Sequence, residues 1–157
     1  PDLWQKTPPG GKSGLRSGEV LRQPAAWNHL QQGGVVFDSS TGFRLPDGSV
    51  LSPDAAWVRR ERWEALGPEE QEDFPPLCPD AVFELRSVSN SADELREKMR
   101  AYLGNGARLG VLIDPYARVV EVDRPGREPE RHANPGRVAL DPELLGFVLD
   151  LSLIFQH

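Results

Sequence analysis

Hydrophobic and polar positions alternate most cleanly from Ala81 to Ser87. A period of two predicts a strand there, with Val82, Glu84 and Arg86 on one face and Ala81, Phe83 and Leu85 on the other. Downstream, the polar loop Val88 to Ser91 ends in the capping box Ser91-Ala92-Asp93-Glu94, which predicts a helix start. Leu95, Lys98, Met99 and Tyr102 then share one helical face, and Gly104-Asn105-Gly106 closes the helix. Leu109 to Ile113 is strongly apolar and reads as a central strand. Asp114 to Ala117 is a turn, and Arg118 to Asp123 alternates as a half-exposed partner strand.

Upstream the periods are shorter. Leu3 to Gly11, rich in Pro and Gly, reads as a strand end followed by a loop. Ser13 to Gln32 predicts a helix with Leu15, Val20, Leu21, Trp27 and Leu30 on its buried side. Gly14, Gly18 and Pro24 predict that it is broken, and Gly33-Gly34 ends it. Val35 to Phe37, Gly42 to Leu45 and Ser49 to Leu51 are strand candidates separated by Asp38-Ser39-Ser40 and Pro46-Asp47-Gly48. With Ala55 to Arg59 extended, they predict an antiparallel meander. Arg60 to Leu66 and Pro68 to Asp73 predict short surface helices, and Phe74 to Pro79 a stiff extended connector. After the partner strand, Arg124 to Gly136 predicts loop and Arg137 to Leu140 a last short strand. Asp141 to Glu143 predicts a turn, and Leu144 to Phe155 an apolar cover for one edge. The order suggests an α/β fold with a mixed β-sheet flanked by helices.

Composition bounds this picture. The 157 residues, 38% hydrophobic, suit one core, so residues 1–157 are read as a single domain. The chain opens at Pro1 without an initiator methionine, which predicts that an N-terminal segment lies outside it. No apolar run approaches the roughly 20 residues that span a bilayer. Cys78, the lone cysteine, fits a reducing, cytoplasmic setting. A net charge of −6 argues mildly against a nucleic-acid partner. The distribution is less discouraging: Lys6, Lys12, Arg16 and Arg22 outnumber Asp2 and Glu19 before Val36, and Arg59, Arg60 and Arg62 form a second basic cluster. Solvated surface is the simpler account of any one of them.

If the strands bearing Asp54 and Glu84 are neighbours, two carboxylates meet at one end of a sheet. Mg²⁺ or Mn²⁺ takes oxygen ligands and needs only one or two carboxylates, and the carbonyl of Leu85 is a candidate third protein ligand. Such an ion polarises a phosphodiester and lowers the pKa of bound water. Two cations compete for the adjoining role. Arg86 stays protonated and suits phosphate contact, whereas Lys98, among apolar neighbours, needs acids or solvent within reach. Each residue also has a structural account: turn chemistry for Asp54, an ion pair with Arg86 or Lys98 for Glu84, and snorkelling for Lys98.

Several runs together carry a resemblance. They are Ser39-Ser40-Thr41-Gly42-Phe43-Arg44-Leu45-Pro46-Asp47-Gly48, Ser52-Pro53-Asp54, Phe83-Glu84-Leu85-Arg86-Ser87, Glu97-Lys98-Met99, Gly110-Val111-Leu112-Ile113-Asp114-Pro115 and Leu145-Gly146-Phe147. In order and spacing they resemble the Uma-type restriction endonuclease family of the PD-(D/E)XK nuclease superfamily, over nearly the whole chain. The resemblance implies a restriction-endonuclease-like core, a DNA substrate, Mg²⁺ or Mn²⁺ as cofactor, and Asp54 and Glu84 as metal ligands. It implies catalytic roles for Lys98 and Arg86, the usual lysine two residues beyond the second acid being replaced by Arg86 and matched instead by Lys98. A homodimer follows only from the need to cut two strands. Relatives commonly carry a Gly-Gly-Glu step at the first helix, where this chain has Gly10-Gly11-Lys12. Lys12 is therefore a candidate phosphate contact, and Glu19, two helical turns later, a candidate substitute for the lost acid. A weakened or inactive nuclease module that binds nucleic acid or partners is the alternative, and a structural domain with a buried Glu84–Lys98 pair is the third reading.

Overall fold

Residues 8–156 are described by the computed structural model. Alternation builds its centre. Strand β5 (Ala81–Leu85) is buried along its length, with Ala81, Phe83 and Leu85 facing one apolar cluster and Val82 facing a second. A strand buried on both faces belongs in the middle of a sheet.

The chain reaches that sheet in the order α1 (Gly11–Gln31), β1 (Gly34–Phe37), β2 (Phe43–Arg44), β3 (Val50–Leu51), β4 (Ala55–Arg59), α2 (Arg60–Glu64) and α3 (Pro68–Glu72), then β5. It continues through α4 (Ala92–Gly104), β6 (Leu109–Asp114), β7 (Val119–Asp123), β8 (Glu130–Ala133), β9 (Arg137–Ala139), β10 (Val148–Asp150) and α5 (Ser152–Gln156). Six strands form one sheet in the order β1-β4-β5-β6-β7-β8. β5 and β6 are parallel, joined by α4 as the crossover, and every other neighbouring pair is antiparallel. The sheet is therefore mixed and flanked by helices, as the order of elements predicts. α1, α5 and the β9–β10 pair cover one face, through Val20, Leu144, Phe147, Leu149 and Ile154, while α4 and the β2–β3 hairpin cover the other. No helix among the described residues is long and apolar enough to cross a membrane.

Several expectations are corrected. The first helix is not broken at Pro24: α1 runs unbroken for 21 residues with Pro24 inside it. Tertiary anchors hold both sides of the proline. The Gln23 side chain donates to the Asp150 carbonyl and accepts from the Asp150 N–H, and Trp27 Nε1 donates to the Leu145 carbonyl. The buried face also differs, for Arg16, Val20, Gln23 and Pro24 point inward while Leu15 and Leu30 are exposed. The meander is interrupted, since β2 and β3 pair as a separate hairpin and β1 crosses to β4. The stretch expected as loop after Asp123 contains edge strand β8, which leaves β7 buried on both sides rather than half exposed. Leu144 to Phe155 does not cover an edge. It forms β10 and α5 against a sheet face. The predicted strand end near Leu3 lies outside the described residues.

The seat of α4 sets the position of the site. Ser91 Oγ accepts from the Glu94 N–H at 3.1 Å, the predicted cap, and Leu95, Met99 and Tyr102 are buried. Met99 lies over Gly110 of β6, where an added Cβ would collide with the methionine thioether. Met99 is fully buried, so its neighbours must take up any shift of the thioether. Gly110→Ala is expected to cost about 1–3 kcal/mol by overpacking, read as a lower urea midpoint with an unchanged slope. An unchanged midpoint would show that α4 is not seated on this glycine.

Candidate active site

The register of two strands brings the acids together. Ala55 pairs with Phe83 in antiparallel β4–β5, so Asp54, one residue before β4, stands opposite Glu84. The Leu85 N–H donates to Asp54 Oδ2 at 2.6 Å and ties the half-buried Asp54 to the end of β5. Glu84 projects from the α4 side of the sheet and is 2% exposed.

Helix α4 supplies its partners. Lys98 Nζ lies 2.9 Å from Glu84 Oε2 and 3.4 Å from the Ser52 carbonyl, and the Tyr102 hydroxyl donates to the same Oε2 at 3.0 Å. Lys98 and Tyr102 are four residues apart, one turn along the same face. Both protein donors fall on Oε2, while Oε1 has no hydrogen bond among the described residues and is not a buried orphan. Burial drives the Glu84 pKa up to about 7, with the neighbouring Asp54 charge adding to the rise and Lys98 opposing it. The Tyr102 hydroxyl is likewise pushed up, by burial and by the Glu84 charge.

This donor set fits a divalent cation. The two carboxyl groups lie within electrostatic reach of each other, and Lys98 pairs with Glu84. All the available atoms are hard oxygens. Mg²⁺ is typically held by one or two carboxylates plus water.

Other predicted residues settle elsewhere. The Arg86 guanidinium turns to Asp114 at 3.1 Å and to the Asn90 carbonyl, so the Glu84–Arg86 pair considered from sequence does not form; Lys98 takes that place. Leu85 is seen through its N–H, which serves Asp54. Glu19 is gripped by Arg22 at 2.8 Å and by Gln23, which with the Arg22 charge holds its carboxyl below the ordinary range. Lys12 is exposed in the first turn of α1, which carries no acid. The basic cluster is internally matched, Arg59 with Glu61, Arg60 with Glu64 and Arg62 with Asp80.

Two residues gain importance that sequence reasoning missed. Tyr102 was legible only as part of an apolar stripe, although its spacing from Lys98 was the available signal. Arg16, 4% exposed, donates to the Ile154 carbonyl and lies 5.3 Å from the Tyr116 ring centre, with Arg86 5.4 Å from the same ring. That arrangement joins α1 to the end of the sheet just past Glu84, and nothing in the local sequence of Arg16 announces it.

Comparison with known proteins bears on this geometry. The family model of Uma2, described as "Putative restriction endonuclease", matches residues 2–152. A crystal structure described as a "putative nuclease belonging to DUF820" from Anabaena variabilis ATCC 29413 aligns with a TM-score of 0.78 at 22% identity, covering 97% of this chain and 84% of that one. A cryo-EM structure of a DrdV–DNA complex aligns with a TM-score of 0.45 at 14% identity, over 73% of this chain and 9% of that one. No curated protein matches the sequence. The structural likeness carries the fold, and the family match, spanning nearly the whole chain, carries the kinship: this protein belongs to the Uma2 family.

Proposed function

We propose that the protein is a divalent-metal-dependent endonuclease that hydrolyses phosphodiester bonds in DNA. The observation that carries this reading is Glu84: a carboxylate buried against the sheet, crowded by Asp54, with Lys98 and Tyr102 on one oxygen and the other oxygen uncommitted.

Asp54 and Glu84 Oε1, with the Leu85 carbonyl, would hold Mg²⁺ or Mn²⁺. Such an ion, when bound, supplies Lewis-acid polarisation of the phosphodiester and a more acidic bound water. Tyr102 and Lys98 fix Glu84 through Oε2, so the free oxygen keeps one direction. The Lys98 ammonium is part exposed and stands beside the carboxylate, where it can steady charge on an attacking oxygen or on the phosphate. The Leu85 N–H orients Asp54. Arg86 and Lys12 would contact flanking phosphate, Arg86 from a guanidinium already fixed by Asp114. The experiment is nicking of supercoiled plasmid with Mg²⁺ or Mn²⁺ and its suppression by EDTA; no conversion under any divalent ion would overturn the assignment.

Lys12 favours a second reading, a weakened nuclease that binds nucleic acid. A cation stands in a first helical turn that has no acid, where the family resemblance implies a glutamate. Lys12→Glu is expected to raise metal-dependent nicking by roughly tenfold if that acid assists the ion, since one added interaction of about 1.4 kcal/mol is a factor of ten. Salt-sensitive DNA binding without cleavage, in both wild type and Lys12→Glu, would select the noncatalytic reading instead.

A further inference from the structure

Asp123, at the end of β7, is 7% exposed, and its Oδ1 is the one buried side-chain oxygen or nitrogen without a hydrogen bond among the described residues. A buried carboxylate oxygen left unpaired costs free energy, so a partner from outside the chain is the natural account of it. Asp123 lines a cavity of about 310 Å³ between α4, β7 and the β7–β8 loop. On α4, Arg96 and Arg100 lie about 160° around the helix from Lys98, so this cavity opens on the flank away from the Glu84 site.

The walls specify a ligand. Arg96 is fully committed, with Nε and Nη2 on Glu121 and Nη1 on Asp93, and this pairing neutralises Glu121. The side chains of Arg100 and Arg127 make no hydrogen bond or ion pair among the described residues, and both are exposed at the rim. Leu103 and Pro129 add apolar surface to this lining, and Glu128 an exposed carboxylate. The cavity thus combines a buried acceptor-only group, some apolar surface and two guanidinium groups without a hydrogen bond or ion pair among the described residues, Arg100 also acting on Asp123 through its charge.

We infer that this cavity binds a guanine nucleotide, the base donating to Asp123 between Leu103 and Pro129 and the phosphate meeting Arg100 and Arg127. Among the four DNA bases only guanine presents two adjacent N–H donors, N1–H and the N2 amino group, on its pairing edge. A carboxylate accepts from both, whereas adenine, cytosine and thymine set an acceptor beside each donor and face repulsion. Arginine forks match the phosphate. A bare cation would need no apolar wall and would meet the rim arginines. Burial raises the Asp123 pKa, with the Glu121 charge adding to the rise and Arg100 and Arg96 opposing it, and donors at the carboxylate relieve that penalty.

This inference is separate from phosphodiester cleavage and is tested without it. dGMP, dAMP, dCMP and TMP are titrated calorimetrically into the wild-type chain in EDTA. dGMP is expected to saturate and to bind roughly tenfold or more tightly than the others. Asp123→Asn should lose tenfold or more for dGMP while melting no lower than wild type, and Arg100→Gln, at an exposed position, should weaken dGMP but leave deoxyguanosine unchanged. Failure of dGMP to saturate at millimolar concentration, equal binding of all four nucleotides, or full retention in Asp123→Asn would overturn it. None of these outcomes bears on plasmid nicking, which tests the other site.

Discussion

Glu84→Ala is expected to take divalent-cation-dependent nicking of plasmid DNA down by about 10³-fold or more, because metal polarisation and water activation are each worth several kcal/mol and both depend on this ligand. Asp54→Ala should fall by a similar factor. Lys98→Met separates the chemistry from the scaffold. It removes the charge 2.9 Å from Glu84 Oε2 but keeps an unbranched apolar stem one atom shorter, so it should lower turnover by about 10²-fold or more while Mn²⁺ still binds. Tyr102→Phe, which deletes a single hydrogen bond to the same oxygen, should cost far less. The measurements are plasmid conversion under single-turnover conditions and Mn²⁺ calorimetry in parallel. Full activity in Glu84→Ala would place the chemistry elsewhere. Loss of activity with retained Mn²⁺ affinity in Glu84→Ala would remove Glu84 from the ligand set.

The second large effect is on stability. In the metal-free protein the Glu84 pKa stands at about 7, above its ordinary value of 4.5, so the unfolded chain gives up this proton more easily than the folded one. Stability from this group is complete below about pH 4.5 and is lost as the pH rises to about 7 and beyond. Glu84→Gln copies the protonated form. In EDTA at pH 8 it should be more stable than wild type by about 3 kcal/mol at most, a Tm gap of roughly 10 °C for a domain of this size. The gap should close by about pH 4. Adding Mg²⁺ at pH 8 should raise the wild-type Tm by mass action and leave Glu84→Gln nearly unmoved. A Gln variant less stable than wild type at pH 8 would mean that the Glu84–Lys98 pair is a net structural asset, which is the rival to metal binding.

How much of this was legible depends on whether the determinant is local. The period of two over residues 81–87 placed Glu84 opposite Phe83 and Leu85 across the strand, and the fold keeps that division. Ser91 and Glu94 announced α4, and helical spacing put Lys98 with Leu95, Met99 and Tyr102. Asp54 and Glu84 could be paired only on the condition that their strands were neighbours, and the β4–β5 register supplies it. What was illegible came from partners distant in sequence. Pro24 signals a break, yet the Gln23 clamp on Asp150, 127 residues away, keeps α1 whole. Arg86 shares a face with Glu84 in an ideal strand, but β5 ends at Leu85 and Asp114, at the end of β6, captures the guanidinium. Strand β8 was hidden because Glu130, Arg131 and His132 have no apolar period. It is held by main-chain pairing to β7 rather than by burial.

That same strand has a bearing on assembly. A sheet margin lined with Glu130 and Arg131, both open to water, resists continuation into a second sheet, because a copy approaching edge to edge would have to strip charged groups of solvent. Two copies cooperating on opposite strands of a duplex would therefore not join sheets along β8, the charged one of the two margins that the order β1-β4-β5-β6-β7-β8 leaves open.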